Sequence, residues 1–130
     1  MSEVLNFYNY LHTIPEEGFQ EFKTSAFLAE KLESYGYVGG ETGIIGIYDS
    51  GNPGPVVALR ADMDALGHII DGQHVSRHTC GHDGHMSMLL AAAQIIKEQQ
   101  LVKRGKLKIL FQPAEELGSG ATSMIKGGAI

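Results

Sequence analysis

The sequence has one cysteine, no apolar run approaching the roughly 20 residues needed to cross a bilayer, and few basic side chains, 10 Lys and Arg against 15 Asp and Glu. Each shortage excludes something. A lone cysteine closes no internal disulfide, which leaves Cys80 the roles of packing, nucleophile, redox sensor or metal ligand. The missing apolar run argues against a membrane-spanning chain. Met1-Ser2-Glu3-Val4 lacks the basic and apolar regions of a signal peptide, so a cytoplasmic protein is expected. A net charge of -5 argues against nucleic acid or an anionic membrane as partner. The basic residues Lys97, Lys103, Arg104, Lys106 and Lys108 read as a solvated helix end and strand entry. No internal repeat, low-complexity tract or linker is visible.

The 130 residues suit one domain, with 43% apolar and 19% charged residues as in ordinary globular proteins. At this length roughly two-thirds of the unfolded chain's surface can be buried around one core. Apolar spacing predicts a short helix over residues 3 to 11, ending before Pro15, and a second from Phe22 to Tyr35, with Thr24 or Ser25 near its start and Gly36 as its stop. Gly43 to Tyr48 and Val56 to Ala61 read as strands joined by a turn-rich hairpin connection. Residues 67 to 81 read as loop. A helix follows from about Gly84 to Gln99, then a strand from Lys106 to Phe111 and a last helix over about Ala121 to Lys126. Strand, crossover helix and strand imply a parallel pair, hence an α/β fold: a mixed, partly parallel sheet flanked by helices.

In such sheets sites form beyond the carboxyl ends of the strands. Three polar groups belong there. Asp62 and Asp64 follow one predicted strand, Glu115 and Glu116 follow another, and His78-Thr79-Cys80-Gly81-His82-Asp83-Gly84-His85 leads into a helix. Thiolate and imidazole suit a borderline-soft divalent ion, and Gly81 permits the tight turn that aims Cys80 and His82 at one point. Metal-assisted hydrolysis needs a Lewis acid and a carboxylate that takes and returns a proton, and adjacent glutamates can divide ligand and base roles. His85 is open to ligation or a supporting role, whereas His68, His74 and His78 read as loop or supporting residues.

Arg60-Ala61-Asp62-Met63-Asp64-Ala65-Leu66, the Cys-Gly-His-Asp-Gly-His segment and Phe111-Gln112-Pro113-Ala114-Glu115-Glu116 resemble, in that order, the N-terminal signatures of metal-dependent amidohydrolases related to aminoacylase and carboxypeptidase. The branch is that of hippurate hydrolases, N-acyl-amino-acid amidohydrolases, aminobenzoyl-glutamate hydrolases and plant auxin-conjugate hydrolases. Leu11 to Glu16 and Gln20 to Thr24 are similar to the family's opening pattern. The resemblance implies a zinc-peptidase-like catalytic domain of which residues 1–130 form the N-terminal part. It implies that Cys80 bridges two divalent ions, usually manganese or zinc, with His82 and Glu116 as ligands. Glu115 would be the general base and Asp64 would support the metal site. Asp62 stands where other branches carry a metal-binding histidine. The implied substrate is an N-acyl amino acid or small peptide-like amide. Relatives draw further histidines, a lid and a dimerisation domain from regions after Ile130, so weak metal binding and little turnover are expected of this piece alone. A second reading is a non-catalytic metal-binding or assembly module that pairs through an exposed sheet edge, possible as a homo-oligomer. A thiol redox enzyme lacks a resolving cysteine.

Overall fold

The computed structural model describes residues 2–36 and 43–130. Met1, the first residue of the opening stretch read above, lies outside them. Helix α1 is Ser2–His12 and α2 is Phe22–Ser34; strands β1, Ile44–Asp49, and β2, Val56–Asp62, follow. A hairpin of β3, Leu66–Ile70, and β4, Gln73–Arg77, leads to α3, His82–Glu98, then β5, Lys106–Gln112, and α4, Gly120–Lys126. The fold is mixed α/β, as expected, and no helix among the described residues is long and apolar enough to cross a membrane.

The main sheet runs β1-β5-β2, with β5 antiparallel to β1 and parallel to β2. The expected parallel pair with α3 as its crossover is present. The expected β1–β2 hairpin is not: β5 lies between these strands. Leu107, Ile109, Phe111 and Gln112 of β5 are buried, whereas Val56 and Val57 of β2 are exposed. The strand with the most side chains to bury therefore takes the centre. Side chains alternate between the two sheet faces. Ile44, Leu107, Ile109 and Phe111 meet Phe7, Leu11, Leu28, Leu32, Met86 and Leu90 from α1, α2 and α3 on one face. Ile45 and the half-buried Leu110 meet Met124 and Ala129 on the other.

Residues 67 to 81 also differ from the loop expected. β3 and β4 pair antiparallel from Leu66↔Arg77 to Ile70↔Gln73, leaving Asp71-Gly72 as a two-residue turn. Both residues have positive φ, 50° and 78°, the conformation this tight turn needs and one that Asp-Gly supplies. The second helix starts without a cap from Thr24 or Ser25: its N-cap is Glu21, whose side chain makes no capping bond. Glu16 caps it from outside, accepting the Lys23 and Thr24 backbone N–H groups at 3.1 and 2.8 Å.

Candidate metal centre

Because β2 and β5 run parallel in register, Asp62 opposite Gln112, both strands release their chains at the same edge of the sheet. Met63 N–H donates to the Gln112 carbonyl at 3.0 Å, extending the pairing one step further. Asp64 and the Pro113-Ala114-Glu115-Glu116 turn consequently emerge side by side. The third segment arrives through Gly81, whose φ of 90° turns the chain between Cys80 and the first residue of α3, His82.

Ligand atoms of Cys80, His82 and Glu116 lie within 4.8 Å of one another. Asp64, fully buried, ties all three segments together. Its backbone carbonyl lies 3.8 Å from the Cys80 thiol and 3.0 Å from His82 Nδ1, its Oδ1 lies 3.2 Å from the same nitrogen, and its Oδ2 accepts the Glu116 backbone N–H at 3.0 Å. His82 Nδ1 faces two acceptors, so it carries the proton and Nε2 keeps its lone pair. That nitrogen is 3.9 Å from both Glu115 Oε2 and Glu116 Oε1. A thiol, a lone-pair imidazole nitrogen and a carboxylate facing one point form a donor set that fits a divalent ion of the zinc type. Burial pushes the Cys80 thiol up from its ordinary value, and the Glu116 carboxylate adds to this. A divalent ion bound there would favour the thiolate.

The two glutamates are not equivalent. Glu116 belongs to the ligand cluster, whereas Glu115 lines a cavity of about 480 Å³ with Arg60, Gln112, Gly118 and Met124. Ala114 aims the pair: its φ of 48° lies in the left-handed region, and its N–H is held at 2.8 Å by the Glu21 carboxylate from the start of α2. Burial pushes the Glu21 carboxyl up from its ordinary value.

All five residues singled out from sequence are therefore brought together. The histidine-rich hairpin is apart: His74 and Ser76 bond Glu17, and His68 meets Thr79. Two supporting contacts were not legible in the sequence. Glu21 makes one. Another is the His12–Asp83 contact of 2.6 Å, which joins the end of α1 to the first turn of α3. His78, read from sequence as a loop or supporting residue, is pushed down from its ordinary value by burial, and its two ring nitrogens have no hydrogen-bond partner among the described residues. Asp83 carried a signal in its place beside His82; Glu21 and His12 carried one only through the family's opening pattern, and nothing in the sequence named their partners.

This is an α/β fold with a candidate metal centre at its sheet edge, and the chain belongs to peptidase family M20/M25/M40, whose model matches residues 58–130. It is 43% identical over 131 residues to IAA-amino acid hydrolase ILR1-like 6 of Arabidopsis thaliana, covering 92% of this chain and 28% of that protein. It is 38% identical to the N-acyl-L-amino acid amidohydrolase of Geobacillus stearothermophilus, covering 99% of this chain and 38% of that protein. Among solved structures it superposes on the Bacillus subtilis YXEP protein, a dinuclear metal binding peptidase from the M20 family, with a TM-score of 0.85 and 29% identity, over 98% of this chain and 39% of that one. The chain thus spans well under half the length of these relatives.

Proposed function

We propose that a protein carrying this chain hydrolyses the amide bond of N-acyl amino acids, with residues 1–130 as the N-terminal part of its catalytic domain. Two divalent ions, manganese or zinc, are assigned to the complete site, and the cytoplasm to the protein. The carrying observation is the convergence of Cys80, His82 and Glu116 beside a second, cavity-facing carboxylate on Glu115. The names of the relatives, an IAA-amino acid hydrolase and an N-acyl-L-amino acid amidohydrolase, support the substrate class.

Cys80, His82 and Glu116 would hold the metal, each supplying one ligand atom. Bound ions supply polarisation of the amide carbonyl and acidification of water. Glu115 takes a proton from the attacking water and returns it to the leaving nitrogen as the acyl carbon gains oxygen, giving a carboxylate and an amine. Asp64 positions His82 and Glu116 without touching substrate.

The test is amine release from an N-acyl amino acid by the protein containing this chain. Glu115→Gln is expected to lower kcat by about 10²–10⁴ with metal content unchanged. Activity indifferent to Glu115→Gln would refute the assignment.

A further inference from the structure

We infer that Asp62, His82 and His85 form a second cation site that competes with the Cys80 set for His82. This rests on the reading that Cys80, His82 and Glu116 hold an ion, since competition needs both sets. Ligand atoms of Asp62, His82 and His85 also lie within 4.8 Å of one another. His82 and His85, three residues apart in the first turn of α3, share a helix face, with ring centroids 5.5 Å apart. Asp62 ends the adjacent strand. Its Oδ1 is paired with the Arg60 guanidinium, which is itself anchored by a 2.8 Å bond from Nε to Gln112 Oε1. Asp62 is thereby oriented with its second oxygen unused by that pair.

Asp62 and His85 line an open cleft of about 510 Å³ with Met88 and Leu89, so a solvent ion reaches these two residues of the set from the cleft, with His82 buried behind them. His82 Nδ1 is committed to Asp64, which leaves Nε2 as the one nitrogen available to either set. One lone pair binds one ion, so occupation of the outer set removes His82 from the inner. Two imidazoles and a carboxylate, lacking the thiolate, accept first-row divalent ions broadly, whereas the thiolate set prefers softer ones. An ion on the outer set is displaced from Cys80 towards the cleft, and excess metal populates it.

Cobalt(II) is the probe, because thiolate ligation gives an intense near-ultraviolet charge-transfer band and nitrogen and oxygen ligation does not. In the unsubstituted chain the band is expected. Cys80→Ser should lose the band yet still bind cobalt with visible ligand-field absorption, and adding His85→Ala should then weaken binding at least about tenfold. His85 is exposed, so its truncation spares the core; Cys80→Ala replaces the serine variant if circular dichroism shows that serine disturbs the fold. A Cys80 variant that binds no cobalt, or binds it equally with and without His85, overturns the outer site. If the unsubstituted chain shows no charge-transfer band while His85-dependent binding persists, the Cys80 reading falls and the competition with it.

Discussion

Asp64 carries more of the centre than any ligand does. Fully buried, it touches the thiol, the imidazole and the backbone of Glu116, so it fixes the tautomer of one ligand and the approach of another. Asp64→Asn removes the charge that favours Nδ1–H and presents an amide where an acceptor is needed. Metal affinity measured by calorimetry should fall by about 10–100-fold, as when such supports are lost elsewhere. Glu21 supports the other side. A carboxyl raised above its ordinary 4.5 holds its proton more tightly in the folded than in the unfolded chain, so its contribution is present at low pH and is lost as pH rises through 4.5 towards the folded value. Glu21→Gln keeps an oxygen for the Ala114 N–H and escapes that loss. Denaturation midpoints should therefore favour Gln increasingly as pH rises above 4.5; a difference independent of pH would contradict the burial argument. The proposed ligands were legible because Cys80 and His82 sit in one short motif. The contacts of Glu21 and His12 were not, because their partners lie 93 and 71 residues away and meet only through packing.

At the scale of elements, hydrophobic period located the three longer helices, α1, α2 and α3, since each needs an apolar stripe of its own. It located β1, β2 and β5 but not their order. A turn-rich connection between two apolar runs suits a hairpin, yet sheet order depends on which strand most needs burial on both faces, a property of the whole chain. The β3–β4 hairpin was missed for a different reason: its polar residues hide the strand pattern, and the Asp71-Gly72 turn was its one local signal. Helix α3 begins two residues before the expected start, which places His82 inside its first turn, directly after Gly81. A Cβ at Gly81 would meet nothing within 4 Å, so substitution there is resisted by backbone conformation alone. Gly81→Ala should cost about 1–2 kcal/mol by denaturant titration, the penalty for a left-handed residue with a side chain. An unchanged midpoint would mean that the turn between Cys80 and His82 is not held as described.

For the molecule as a whole, the centre follows from topology. Parallel β2 and β5 discharge Asp64 and Glu116 at one edge, and the crossover that makes them parallel returns through the Cys80 turn and α3. Residues 16 and 52 positions from Asp64 thereby become its neighbours. X-ray absorption at the zinc edge of the zinc-loaded chain tests this most directly, because it counts the sulfur. The account predicts one sulfur neighbour at about 2.3 Å with nitrogen and oxygen neighbours at about 2.0–2.2 Å, the sulfur vanishing in Cys80→Ser. A first shell of nitrogen and oxygen alone in the unsubstituted chain would contradict it.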